Sequence, residues 1–100
     1  MTEDTPVSIQ KEMALTHADF FRGLPNAFPD TPYRVSGAGV TVDEDDGRTL
    51  EIALGPEGVR QIALLKLPMT RVALTFSGYA KADCEAVMEQ FDRAFQRAGG

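Results

Sequence analysis

From Val7 onward apolar residues fall at every second position, through Ile9, Met13 and Leu15, which is the period of a β-strand. Lys11 interrupts that face, as a residue at a sheet edge or one whose ammonium reaches water along its stem. The period changes at Thr16. Phe20, Phe21, Leu24 and Phe28 then predict a short helix. Its start is marked by Thr16 and Asp19, spaced as a capping box, with Leu15 and Phe20 at the two positions of a hydrophobic staple. Pro25 disfavours helical geometry at Leu24, so the helix is expected to end or kink there.

From Tyr33 to Tyr79 strand patterns alternate with turn signals. Tyr33, Val35, Val40 and Val42 alternate around "SGAG", where the missing side chains predict a bulge or bend. "DEDDGR" carries an Asp-Gly hairpin turn, and Leu50, Ile52 and Leu54 mark a half-buried strand. "GPEG" predicts the next turn, and "LPMT", around Pro68, another. Hairpins closed at those two places would set Leu54 opposite Val59, Ile52 opposite Gln61 and Leu50 opposite Ala63. They would also set Leu65 opposite Val72 and Lys66 opposite Arg71. One face would then hold Leu50, Ile52, Leu54, Val59, Ala63, Leu65, Val72, Leu74 and Phe76, with Gln61 its only polar member.

The last segment is helical in pattern. Cys84, Val87, Met88, Phe91, Phe95 and Ala98 share one face, with Asp83 and Glu85 near its start and Arg93 and Arg97 near its end, as the helix dipole favours. Ala80 is a weak cap, and Gly99 and Gly100 end the helix. The fold class is therefore α+β: strand, helix, four strands, helix. An antiparallel meander carries a short N-terminal and a long C-terminal helix on one face. That element order resembles the TATA-binding-protein-like arrangement and, more loosely, the helix-grip ligand-binding folds. The resemblance covers most of the chain, includes no motif and implies a fold only.

One hundred residues with 43% hydrophobic content make a single domain over residues 1–100, with residues 1–5 expected as a flexible tail. The formal charge of −5 and the scattered basic residues argue against nucleic acid, and nothing in the pattern reads as a signal peptide or membrane span. The single cysteine fits a reducing compartment, so a cytoplasmic location is expected. Cys84, on the apolar helix stripe, reads as buried and inert.

Little conventional chemistry emerges. His17 beside Asp19 looks like a catalytic pair until the cap explains Asp19 and places His17 in the first helical turn. "DEDDG" fails the calcium-loop spacing, since glycine falls at the fifth position and leucine at the twelfth. One histidine and one cysteine are too few for zinc, and no phosphate loop is present. No catalytic residue, metal or cofactor is therefore assigned. The leading expectation is a non-catalytic interaction module, a homodimer or a protein-docking domain, acting through the open sheet face with Arg60, Ile62, Leu64, Lys66 and Arg71. A second reading is a binder of a small apolar ligand between sheet and helices, lined by Gln61, Phe76, Phe21 and Phe28. An enzyme using His17 or carboxylates comes third.

Overall fold

A computed structural model describes residues 6–44 and 47–96. The expected tail at residues 1–5, part of the acidic turn and the C-terminal glycines lie outside them. The elements are β1 (Val7–Met13), α1 (His17–Ala27), β2 (Tyr33–Ser36), β3 (Gly39–Asp43), β4 (Thr49–Ile62), β5 (Leu65–Ser77) and α2 (Lys81–Gln96). The strands form one antiparallel sheet in the order β1-β5-β4-β3-β2. The α+β class and the element order are as the sequence indicates, and β3 and β4 are joined across the expected acidic stretch, but two of the expected hairpin turns lie elsewhere.

"SGAG" is a true hairpin turn: Ser36 pairs with Gly39, and Gly37 supplies the positive φ of +59° that the two-residue loop requires. "GPEG" closes no hairpin. It is a register shift between Leu54 and Glu57 inside one fourteen-residue strand. "LPMT" lies within β5, and the chain reverses at Ala63–Leu64, where Ile62 pairs with Leu65. The expected pairings of Leu54 with Val59 and Lys66 with Arg71 are replaced by Leu54 with Val72 and Lys66 with Gln61.

Both prolines sit where an outer neighbour has stopped. β1 follows β5 only from Phe76 to Thr70, so Pro68 lies on an open edge. β3 follows β4 only to Ala53, so Pro56 lies in the bulge beyond it. These are the sites at which a sheet tolerates a missing N–H.

Residues at even positions of β4 as far as Leu54, and of β5 from Thr70 on, point to the helices. Leu50, Ile52, Leu54, Val72, Leu74 and Phe76 are buried there with Val40 and Val42 of β3. Phe20, Leu24 and Ala27 of α1 and Cys84, Phe91 and Phe95 of α2 close the core from one side. Phe20 stacks on Phe95 with centroids 5.0 Å apart and rings 7° from parallel, and it leans on Phe91 at 6.1 Å. A Cβ on Gly23 would meet the Phe95 ring at 2.7 Å, so only glycine permits this helix crossing. The Thr70 hydroxyl, fully buried, donates to the Leu15 carbonyl at 2.8 Å. Lys11 belongs to edge strand β1, and its Nζ reaches Asp92 of α2 at 2.7 Å.

α1 runs past the expected stop at Leu24 to Ala27, with Pro25 inside it. Pro25 falls in the last turn, where little helix remains to be kinked, and the Phe28 N–H still donates to the Leu24 carbonyl at 3.0 Å. The start is as the spacing indicates. Asp19 N–H donates to Thr16 Oγ1 at 3.1 Å, and Thr16 N–H donates to the Asp19 carboxylate at 3.4 Å. The Thr16 backbone bond, then the Thr16 hydroxyl, then Arg22 hold the Asp19 carboxyl below the usual carboxylate range. A depressed pKa stabilises the fold above the unfolded-state value and loses that contribution as pH falls through the folded value. Asp19→Asn should therefore lower stability at neutral pH and flatten the acid limb of the pH–stability curve below about pH 4. Urea melts of both proteins across that range measure it, and an unchanged acid limb would remove Asp19 from the account.

Candidate functional site

The molecule measures 54 × 25 × 24 Å, and its length follows from the central ribbon, since fourteen residues at about 3.3 Å span roughly 46 Å. Among the described residues, that ribbon has no strand on either edge and no helix over it past Glu57 on β4 and Thr70 on β5. It forms a two-stranded arm. Leu64 is 96% exposed, Val59 70%, Leu65 64% and Ile62 52%. Val59, Ala63 and Leu65, which the alternation places in the core, are therefore outside it. The reason is that the strands outrun the two helices.

Residues paired across an antiparallel ribbon share a face. The side continuous with the helix-facing surface carries Glu57, Val59, Gln61, Lys66 and Pro68. The open side carries Gly58 with Met69, Arg60 with Leu67, and Ile62 with Leu65. Of the residues expected on the open face, Arg60, Ile62 and Arg71 lie there. Lys66 lies on the other side, opposite Gln61, because β5 is one unbroken strand. Leu64 occupies the turn. Met69, Leu67 and Leu65 complete the apolar strip and were hidden in the sequence by the misplaced turns. The real turn carries no glycine or asparagine: Ala63 adopts φ +54°, a conformation that costs an L-residue about 1–2 kcal/mol.

The expected ligand pocket does not assemble. Gln61 is exposed on the arm and donates to the Ala63 carbonyl at 3.3 Å, while Phe76, paired with Leu50, is sealed in the core. Ten residues of β5 separate Phe76 from the position facing Gln61, about 33 Å. Phe21 is half-buried on α1 beside Phe20, and Phe28 is buried against Tyr33.

His17 begins α1 and latches the root of the arm. Its Nε2, carrying the proton, donates to the Gly55 carbonyl at 2.7 Å, and its backbone N–H donates to the Glu57 carboxylate at 2.8 Å. Glu57 thus places a negative charge at the positive end of the helix. Both partners flank the bulge, so the histidine is tied to the direction in which the arm leaves the sheet.

Beside this root lies an open groove of about 550 Å³ bounded by Pro56, Gly58 and Met69, with Glu12, Arg60 and Arg71 at its rim. Glu12 is shared by two guanidinium groups, Arg71 at 3.6 Å and Arg60 at 3.8 Å, both longer than a hydrogen bond. At the other end of the sheet Arg48 joins Glu44 (3.0 Å) and Asp83 (3.3 Å) and lies over the Tyr79 ring, while the Tyr79 hydroxyl donates to Glu44 at 2.7 Å. This network ties the β3–β4 connection to the start of α2.

Cys84 is buried, and burial first, then Asp83 and Glu85, pushes its thiol above the ordinary value. A neutral thiol reagent should therefore label native protein at least about tenfold more slowly than unfolded protein. Complete labelling of the native state within mixing time would contradict that burial. Among the described residues no group of three or more histidine, cysteine or carboxylate side chains is placed to hold a metal, and no helix is long and apolar enough to cross a membrane. No family model matches the chain, and no curated protein or solved structure is significantly similar to it.

Proposed function

We propose that this domain is a non-catalytic interaction module that grips a protein partner with the β4–β5 arm and the open sheet face at its root. One observation carries this reading: a hairpin that leaves the body of the domain and holds four large aliphatic side chains in water. The domain core does not explain them. None of them belongs to the core cluster, and an isolated two-stranded ribbon is marginal in stability. Contiguous exposed apolar surface bordered by charge is the usual mark of a docking site. Covering what these four side chains expose is worth on the order of 4–8 kcal/mol. Association itself costs about 4–15 kcal/mol, so the contact needs apolar surface from the partner as well.

The discriminating pair is the wild type and Ile62→Glu/Leu65→Glu, compared by sedimentation and by affinity recovery of partners. Both substitutions lie beyond the core, so thermal unfolding should shift by no more than the local cost of two facing carboxylates at the arm tip, about 1 kcal/mol. The wild type is expected to self-associate or to retain a partner that the variant loses. Identical behaviour of the two proteins, monomeric and with the same recovered material, would overturn the reading.

A further inference from the structure

Resting on that reading, we infer that the partner supplies an extended segment that joins the sheet as a strand along the outer edge of β4, with an acidic side chain opposite Arg60. Ile62 and Leu65 flank a two-residue turn, so they form a hydrogen-bonded pair. Alternation from there makes Arg60 with Leu67 and Gly58 with Met69 bonded pairs. It leaves Gln61 with Lys66, Val59 with Pro68 and Glu57 with Thr70 as pairs whose backbone groups turn away from each other. Pro68, which has no N–H, fits only in a pair of that kind. Glu57, Val59 and Gln61 therefore aim their N–H and C=O groups at the free edge, and among the described residues none of these meets a backbone partner. β3 has already stopped there, its side ending with the bond from the Leu54 N–H to the Ala38 carbonyl at 2.9 Å.

The two edges of the arm are not alike. On β5 an outward position is Pro68, the residue with which sheets refuse a further strand. On β4 no proline or lysine stands between Glu57 and Ile62, over about 17 Å. An open edge of that length is a template for an extended chain. A strand there also accounts for apolar residues on both sides of the ribbon. Val59 and Ile62 point to opposite sides, so no surface laid flat on one side covers both, whereas an added strand brings side chains to each. Leu64 and Leu65 lie at the tip, past the last pair such a strand forms, and fall to the body of the protein that carries the segment.

The side chains of β4 set what the segment carries. In an antiparallel addition the residues opposite Gly58, Arg60 and Ile62 share one side. Gly58 leaves space over the groove beside Met69, which suits an aromatic ring, and Ile62 suits an aliphatic side chain. Arg60 and Arg71 hold one carboxylate between them, Glu12, at 3.8 and 3.6 Å. Arg60 can leave it at little cost, because an exposed pair that long contributes little. A carboxylate on the segment then pairs with Arg60, and Glu12 keeps Arg71. From its N- to its C-terminus the segment reads aliphatic, any residue, acidic, any residue, aromatic.

The probe is a synthetic heptapeptide with blocked ends, Thr-Leu-Thr-Asp-Val-Tyr-Thr, titrated into isotope-labelled protein. Bound peptide should slow hydrogen exchange at the outward amides of Glu57, Val59 and Gln61 and leave the already bonded amides of Arg60 and Ile62 much as they were. Val59→Pro removes an outward N–H and no bond to β5, so its fold should survive. Its affinity should fall by about tenfold or more, while Val59→Thr, which keeps the N–H, should stay within about threefold of wild type. Lysine in place of the peptide's aspartate should weaken binding by about tenfold or more, and added salt should weaken binding of the aspartate peptide. Outward amides that stay unprotected at millimolar peptide, or a partner recovered equally by Val59→Pro and wild type, overturn the added strand. Loss of that same partner from Ile62→Glu/Leu65→Glu would then leave the arm reading standing. Equal binding of the aspartate and lysine peptides overturns the acidic assignment. Self-association of the wild type that Val59→Pro abolishes gives this edge to a second copy and overturns the choice of partner.

Discussion

Phe20→Ala should cost about 3–5 kcal/mol and lower the urea midpoint by on the order of 2 M. Phe20 is fully buried and is the residue through which the two helices meet, stacked on Phe95 and tilted against Phe91. Truncation removes the transfer energy of a phenyl ring and leaves a cavity between α1, α2 and the sheet. The Phe91 and Phe95 side chains, fixed on one long helix, are poorly placed to fill it. Against a total of roughly 5–15 kcal/mol for a small domain, the loss brings the variant close to unfolding at moderate temperature. Phe21→Ala is the internal control. Phe21 is only half-buried and meets Phe20 edge-on at 5.7 Å, so its removal should cost clearly less. A larger loss at position 21 than at position 20 would reverse the assignment of the inner helix face.

Thr70→Val should cost about 1–3 kcal/mol although the two side chains have nearly the same shape. The Thr70 hydroxyl is the partner of the Leu15 carbonyl, at 2.8 Å and out of reach of solvent. Valine replaces it with a methyl group and leaves that carbonyl desolvated without a donor. Thr70→Ser keeps the bond and deletes one methyl, a loss of about 0.8 kcal/mol. The expected ranking is therefore wild type, then serine, then valine, read from equilibrium urea unfolding. Valine more stable than serine would show that packing, and not the hydrogen bond, decides this position.

The parts of the fold that could be read in advance are those where one local signal is enough. Thr16 and Asp19 mark a helix start by their own chemistry, and the stripe through Cys84, Phe91 and Phe95 specifies a buried face at helical spacing. The turns are different. "GPEG" and Pro68 carry strong turn signals, yet glycine and proline are also what a sheet accepts in a bulge and along an unaccompanied edge. Which role applies depends on where β1 and β3 stop, and that depends on residues distant in sequence. The true reversal at Ala63–Leu64 has none of the usual residues and pays for itself in backbone strain. The alternation turns Ile62 outward, as the structure does, but through a register that sends Leu65 inward and sets Lys66 opposite Arg71 in place of Gln61. The arm was legible as alternating apolar residues and invisible as an arm, because nothing in a strand pattern says whether a helix lies above it.

The pairing of β1 with β5 has a consequence for how the chain matures. Val7 finds Phe76 and Met13 finds Thr70, so β1, the earliest strand of this sheet to be made, waits for β5, the latest. Until then β2, β3 and β4 can assemble by local reversals, while the apolar side of β1, with Val7, Ile9 and Met13, remains unpaired. Closing so long a loop delays the final step of folding more than it lowers final stability. Nascent chains stalled just short of Leu65 should therefore hold an unclaimed N-terminal strand, the form of this protein most open to capture by a chaperone.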